Sequence, residues 1–159
     1  MRLILLRHAK SCWKQAGLAD WQRPLSPRGV KTLPQIVAQL MRWRVVPDRI
    51  LSSDAVRTRL TTSAISEAFE DVQVSFKPSL YLASEAQILA MMARKFCAGQ
   101  TQIWVGHNPG IQQVVEHLGG VQLDKFATGS MAMMKVNSDL RPTSELKLWS
   151  PKGGEKRLG

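Results

Sequence analysis

The feature that most constrains the fold is a run of four branched apolar residues at positions 3–6, which ends in Arg7 and His8. This run is far shorter than the ~20 residues of a membrane span and has the composition of a buried strand. Strands buried on both faces belong to sheets that helices cover on both sides. In open sheets of this kind ligands bind beyond the carboxyl ends of the strands. We therefore expect Arg7 and His8 to lie in a functional site.

The chain length and composition indicate one domain. The 159 residues are 44% hydrophobic and 21% charged, as is usual for a soluble globular protein. We expect a single domain over residues 1–150, followed by a basic, mobile tail at 151–159. The sequence predicts neither a membrane helix nor a secretory signal, because its early apolar run is too short for either. This favours a cytoplasmic location.

Two further features concern possible partners. Cys12 and Cys97 are the only cysteines and lack the spacing of a metal site, so we expect no metal and no disulfide framework. The net charge of +10 favours anionic partners such as phosphates, acidic proteins or nucleic acid. Dispersal of the basic residues along the chain makes nucleic acid the less favoured of these.

Strand and helix patterns alternate along the chain, which predicts an α/β fold. We expect a three-layer sandwich with a mainly parallel central sheet, helices on both faces and an antiparallel pair of strands at one edge. Proline at position 34 should disturb the first helix. The predicted strands are 3–6, 49–53, 72–76, 101–105, 130–136 and 145–149, and the predicted helices are 27–43, 54–69, 85–98 and 111–118.

Basic side chains follow three of the predicted strands. Arg7 and His8 follow the first, Arg57 lies just beyond the second, and His107 comes after the strand at 101–105. Arginine binds a phosphoryl group through bidentate, permanently charged hydrogen bonds. A neutral histidine can attack phosphorus to form a covalent intermediate. The pattern thus predicts a site for an oxyanion, and its chemistry requires neither a metal nor another cofactor.

These residues resemble the histidine phosphatase superfamily, and within it the short, lidless phosphohistidine phosphatase branch known as SixA. The similarity covers nearly the whole chain, because four motifs occur in the same order at compatible spacing. They are Arg7-His8-Ala9-Lys10-Ser11, Arg23-Pro24-Leu25 with Arg28-Gly29, Ser53 with Arg57 and Thr61, and Gly106-His107-Asn108-Pro109-Gly110, and Thr128-Gly129-Ser130 extends the match.

The resemblance implies a phosphoglycerate-mutase-like fold without a lid insertion and assigns roles to particular residues. His8 would be the nucleophile that becomes phosphorylated. Arg7, Arg57 and His107 would bind the phosphoryl oxygens and stabilise the transition state. A smaller set of neighbouring polar residues is expected to line the substrate site, namely Lys10, Ser11 and Asn108.

The sequence leaves the general acid open. Many members of the superfamily protonate an alkoxide leaving group with a carboxylic acid, and Glu85, Asp20 and Asp54 are the candidates that this chain offers. The pattern assigns the role to none of them. Because an imidazole leaves more easily than an alkoxide, this favours phosphohistidine as the substrate. The short span between Arg57 and His107 leaves little sequence for a lid and favours an open site.

The predicted function is that of a metal-independent phosphohistidine phosphatase acting on a signalling or phosphotransfer protein. One alternative is a small-molecule phosphomonoesterase or mutase-like enzyme of the same superfamily. An alternative of another class is a non-catalytic module that binds anions or nucleic acid, for which the net charge is the main support.

Overall fold

A computed structural model describes residues 1–14 and 16–158 and shows one seven-stranded mixed sheet with helices on both faces. The strand order is β3-β2-β4-β1-β5-β6-β7. The strands are β1 (Arg2–Arg7), β2 (Arg49–Ser53), β3 (Gln73–Lys77), β4 (Thr101–Gly106), β5 (Met131–Lys135), β6 (Leu146–Ser150) and β7 (Gly154–Leu158). The helices are α1 (Pro27–Arg42), α2 (Val56–Ser66), α3 (Glu85–Lys95) and α4 (Gly110–Gly119), with short 3₁₀ turns at Asp20–Gln22 and Pro78–Leu80.

Strands β1 to β4 are parallel to one another, whereas β5 pairs antiparallel with β1, and β6 and β7 continue the antiparallel pairing. The side chains of Leu3, Ile4, Leu5 and Leu6 are fully buried, since β1 lies between β4 and β5 and is covered on both faces. The carboxyl ends of β1, β2 and β4 meet at one edge of the sheet. This arrangement confirms the predicted α/β sandwich.

Two hydrophobic clusters cover the two faces of the sheet. On one face α1 and α2 contribute Ile36, Leu40 and Ile65 against Ile4 and Ile103. The other face carries α3 and α4, which contribute residues including Ile88, Met92, Val114 and Val115. Alternate residues of β1 point into opposite clusters, as the two-residue period of a strand requires. The result is the predicted three layers.

The segment between Arg57 and His107 contains no inserted domain. It consists of α2, β3, the turn Pro78–Leu80, α3, β4 and short connections. Helix α1 runs without interruption through Pro34, and α2 ends at Ser66, before the predicted end at residue 69. In the described part of the chain no helix is both long enough and apolar enough to cross a membrane.

The predicted mobile tail is wrong for residues 154–158, which form β7 and pair with β6 along its length. The edge of the sheet is therefore β7 and not the pair at 130–149. A polar contact fixes this strand to α1: the Glu155 carboxylate accepts hydrogen bonds from Gln39 Nε2 at 3.1 Å and from Trp43 Nε1 at 3.0 Å. Gly159 lies outside the described residues.

We expect Glu155→Ala to lower the free energy of unfolding by about 1–3 kcal/mol, because Gln39 and Trp43 are buried and would each lose an acceptor. Urea denaturation followed by circular dichroism measures this change. Lys156→Ala on the same exposed strand is the matched control and should stay within about 0.5 kcal/mol of the wild type. Equal stabilities of the two variants would contradict the anchoring role.

Candidate active site

The turn after β1 is held in place by backbone hydrogen bonds from both neighbouring strands. His8 N donates to Gly106 O at 3.2 Å, and Arg7 N donates to Ser130 O at 3.1 Å. Gly129 N donates to both Arg7 O and His8 O at 3.0 Å, and its φ of +79° is one that glycine adopts without strain. The backbone of the proposed nucleophile is thus fixed on two sides.

One nitrogen of the His8 ring is hydrogen-bonded, and the other has no hydrogen-bond partner among the described residues. Its Nδ1 lies 2.7 Å from Ala9 O, and a carbonyl can only accept, so Nδ1 carries the proton. The Ala9 carbonyl thereby leaves the Nε2 lone pair available for attack. Ala9 is itself held by its N–H, which donates to Thr61 Oγ1 at 3.1 Å.

His8 is neutral at physiological pH. Burial lowers its pKa to about 4, and the positive charges of Arg57, Arg7 and Arg23 act in the same direction, against a raising effect of the hydrogen bond to Ala9. A neutral imidazole retains the lone pair that nucleophilic attack requires.

The buried guanidinium of Arg57 joins the loop before α1 to the end of β4. Its Nη1 donates to Asp20 O at 2.7 Å, and its Nη2 donates to Asp20 Oδ2 at 2.9 Å. The same Nη2 lies 3.3 Å from His107 Nδ1, which must be the acceptor because a guanidinium has only donors. Arg57 is only 4% exposed, so its orientation is fixed by these contacts.

His107 therefore carries its proton on Nε2, which donates to Ser53 Oγ at 2.8 Å. Its ring centre lies 5.1 Å from that of His8. Burial lowers the pKa of His107 to about 3, with further lowering by His8 and Arg57. The structure thus brings His8, Arg57 and His107 together at the carboxyl ends of three parallel strands, as the sequence predicts.

Arg7 has a donor that protein atoms leave unused. Its Nη1 donates to Phe126 O at 2.8 Å, but its buried Nε has no partner among the described residues. Burial lowers the pKa of Arg7, and the nearby charge of Arg57 adds to this. An unpaired buried donor costs about 1–3 kcal/mol, which an oxyanion accepting from Nε would recover.

The Asp20 carboxylate lies at the centre of a second cluster of contacts. Oδ2 accepts from Tyr81 Oη at 2.6 Å and from Arg57, and Oδ1 accepts from Arg23 Nη1 at 2.7 Å. The Tyr81 hydrogen bond, with those of Arg23 and Arg57, holds the pKa of Asp20 well below its usual range. Asp20 is therefore ionised and has no proton to give a leaving group.

The three residues predicted to line the substrate site differ in burial and in their hydrogen bonds. Ser11 is buried and its Oγ accepts from Arg23 Nη2 at 2.6 Å. Asn108 Nδ2 donates to Gln112 Oε1 and Phe126 O, whereas Asn108 Oδ1 is buried without a partner among the described residues. Lys10 has an exposed side chain, and its backbone carbonyl accepts from Ser26 N.

The other two carboxylates considered as general acids lie outside this cluster of contacts. The Glu85 carboxylate contacts His117 Nδ1 at 2.9 Å, between α3 and α4. Asp54 is half-buried, and its backbone carbonyl accepts from Arg59 Nε. Among the described residues no group of three or more His, Cys, Asp or Glu side chains is placed to hold a metal ion.

Four residues that contact the site were not predicted as site residues. Arg23, Ser53 and Thr61 occur in the motifs that carry the family resemblance, and these motifs were the signal that could have identified them. Tyr81 lies in the segment searched for a carboxylic acid. Its ring packs edge-on against His107 with centres 5.4 Å apart, a contact that only the folded chain reveals.

Comparison with solved structures supports this fold. A provisionally assigned phosphohistidine phosphatase SixA from Agrobacterium tumefaciens is 32% identical, with a TM-score of 0.79 over 85% of this chain and 91% of that one. Two other structures share the fold: the protein histidine phosphatase SixA complexed with tungstate (21% identity, TM-score 0.76, 90% and 93% covered) and a mycobacterial glucosyl-3-phosphoglycerate phosphatase (15% identity, TM-score 0.63, 89% and 95% covered).

Sequence comparisons agree with the structural ones. An uncharacterised chloroplast protein of Arabidopsis thaliana is 33% identical over 145 residues, which are 85% of this chain, and the match spans 66% of that relative's length. Residues 3–81 match the model of the histidine phosphatase superfamily (branch 1). Together with the Agrobacterium structure, this shows that the chain belongs to the histidine phosphatase superfamily.

Proposed function

We propose that this phosphatase removes phosphate from a histidine of another protein through a phosphohistidine intermediate on His8, without a metal. The observation that carries the proposal is the neutral His8 ring, whose Nε2 is free while Nδ1 donates to Ala9 O. It stands beside two guanidinium groups, those of Arg7 and Arg57. A nucleophile next to an oxyanion site is the arrangement that phosphoryl transfer requires.

In the first step His8 Nε2 attacks phosphorus, and the bond from phosphorus to the leaving nitrogen breaks with its electron pair going to that nitrogen. Arg57 and Arg7 bind the equatorial oxygens, where negative charge is concentrated in the transition state. The unpaired Arg7 Nε is available for this contact. His107, held by Ser53 and Arg57, borders the same space.

In the second step water attacks phosphorus and His8 leaves. The Ala9 carbonyl keeps a proton on Nδ1, so phosphorylated His8 departs as a neutral imidazole rather than as an imidazolide anion. A neutral leaving group lowers the barrier, because no negative charge builds up on the ring. Hydrolysis of the intermediate therefore needs no separate acid for His8.

The proposed substrate preference rests on the described residues around the guanidinium groups, none of which offers a ready proton. Asp20 is the carboxylate nearest to the guanidinium cluster, and it is ionised. The pKa of Tyr81 is raised, because of its burial and its hydrogen bond to Asp20, so the hydroxyl holds its proton tightly. An alkoxide leaving group would find no ready proton here, whereas a protonated phosphohistidine ring brings its own.

A protein substrate also suits the surroundings of the site. Trp13, whose ring stacks on Arg23, and Trp21 and Leu82, which follow Asp20 and Tyr81 in the sequence, are exposed apolar side chains. An acidic protein would be attracted by the net charge of +10. Lys10, Ser11 and Asn108 are proposed to contact the substrate. We propose a signalling or phosphotransfer protein of the cytoplasm as this substrate.

Relative rates on two classes of substrate test the proposal. We expect kcat/KM for a phosphohistidine-bearing phosphotransfer protein to exceed that for sugar phosphates and phosphoserine by at least about 100-fold, which corresponds to roughly 2.7 kcal/mol in the barrier. The assay measures phosphate release with and without EDTA, and the two rates should agree. A clear preference for a sugar phosphate would instead favour a small-molecule phosphomonoesterase, the class to which one structural neighbour belongs.

Trapping of the intermediate tests the role of His8. Rapid quenching with radiolabelled phosphohistidine substrate should yield an acid-labile label on the wild type and none on His8→Asn, which removes the nucleophilic nitrogen with little change in size. His117→Asn is the matched control, because His117 lies exposed on α4, and should label like the wild type. A label on His8→Asn equal to that of the wild type would refute the assignment.

The pKa of His8 gives a stability prediction with a definite sign. A depressed pKa in the folded state means that the unfolded chain binds more protons between about pH 6.5 and 4, so stability falls on acidification through that interval. We expect His8→Asn to lose less stability than the wild type between pH 7 and pH 4.5. Urea denaturation at the two pH values measures the difference, and equal losses would show that His8 is not held neutral.

A further inference from the structure

We propose that Asp20 is a specificity-determining residue that recognises the leaving imidazole by accepting a hydrogen bond from the ring N–H of phosphohistidine. The inference rests on the proposed function, because it concerns the substrate of the same site. In this role the Asp20 carboxylate contacts the leaving group and not the phosphoryl group.

The Asp20 side chain is much more exposed to solvent than the nucleophile. The His8 residue is only 6% exposed, whereas the side chain of Asp20 is 44% exposed. The two are linked through Arg57, whose Nη2 contacts both Asp20 Oδ2 and His107 Nδ1. Since His8 attacks phosphorus from the buried side, in-line displacement sends the leaving group outward. The leaving ring therefore moves toward solvent, to which the Asp20 side chain is also exposed.

The carboxylate has an acceptor position to spare. A carboxylate offers about four lone-pair positions, and Arg57, Tyr81 and Arg23 occupy three of them. Two of these donors contact Oδ2 and one contacts Oδ1, so the remaining position is on Oδ1. Because the side chain is 44% exposed, a further N–H donor would add to the three contacts rather than displace one of them.

The chemistry of the phosphorus–nitrogen bond makes such an acceptor useful. Phosphohistidine carries phosphorus on one ring nitrogen, and protonation of the other lets the ring leave as neutral imidazole. When His8 Nε2 forms its bond to phosphorus, the electron pair of the breaking bond goes to the substrate nitrogen, and the ring proton stays in place. A carboxylate that accepts from this N–H stabilises the protonated ring and thus the reactive form.

His8 of the enzyme already has an equivalent hydrogen-bond acceptor. The Ala9 carbonyl accepts from His8 Nδ1 and keeps the proton on the ring that leaves in the second step. Transfer between two histidines is chemically symmetric, so each ring needs an acceptor for its second nitrogen. Ala9 supplies one acceptor, and Asp20 supplies the other. A phosphate ester has no corresponding N–H and gains no such hydrogen bond from Asp20.

The test compares two small substrates, N-phosphoimidazole and p-nitrophenyl phosphate, so that protein docking plays no part. In Asp20→Asn we expect the ratio of kcat/KM for N-phosphoimidazole to that for the aryl ester to fall at least tenfold. Tyr81→Phe removes one hydrogen bond to the same carboxylate and should keep the ratio within threefold of wild type. Asp139→Asn, in the exposed loop after β5, is the control for loss of an acidic side chain.

A merely structural role would reduce both rates together, because Asp20 also holds Arg57. An unchanged ratio in Asp20→Asn, with normal activity on phosphohistidine by the wild type, would overturn this inference alone. If the wild type hydrolysed neither N-phosphoimidazole nor phosphohistidine, both the proposed function and the role of Asp20 would be overturned.

A second measurement uses the wild type and is independent of how the variant folds. The compound 1-methyl-3-phosphoimidazolium releases neutral 1-methylimidazole, a ring close in size to imidazole, but it has no ring N–H. We expect its kcat/KM, divided by its spontaneous hydrolysis rate, to be at least tenfold below the same quotient for N-phosphoimidazole. Equal quotients would show that no N–H is recognised and would refute the role of Asp20.

Discussion

The active site depends on the burial of one guanidinium, that of Arg57. A buried charge is stable only when its donors are paired, and Arg57 pairs with the carbonyl and carboxylate of Asp20 and with the ring of His107. These contacts set the tautomer of His107 and the position of the loop that carries Asp20. Because α2 begins directly after β2, the guanidinium enters the site from a rigid element of the fold.

Much of the fold could be predicted because burial leaves a simple trace in the sequence. Residues of β1 are covered on both faces, so they form an uninterrupted apolar run. The carboxyl ends of parallel strands meet at one edge, so polar residues after β1, β2 and β4 must be neighbours. Arg7, His8 and His107 follow from this argument together with the motifs, which is why the structure brings them together as predicted.

The remaining parts of the site depend on contacts between distant loops, which no local pattern encodes. Asp20 begins one short 3₁₀ turn and Tyr81 follows another 61 positions later, yet their side chains share a hydrogen bond. Strand β7 was missed for a related reason. Its sequence is polar and contains glycine, and it is held by pairing with β6 and by the contact of Glu155 with α1. Polar edge strands give little hydrophobic signal.

The charges of the site fit the ion that it has to bind and release. The candidate site contains the guanidinium groups of Arg7, Arg23 and Arg57 and the carboxylate of Asp20. It also contains His8 and His107, whose pKa values are lowered to about 4 and about 3. Three positive charges and one negative charge leave a net charge of plus two, which balances a dianionic phosphoryl group. Were Asp20 neutral, the excess positive charge would hold inorganic phosphate more tightly after hydrolysis. Under the proposed function the carboxylate therefore serves turnover as well as recognition, since it weakens product binding and accepts from the leaving imidazole.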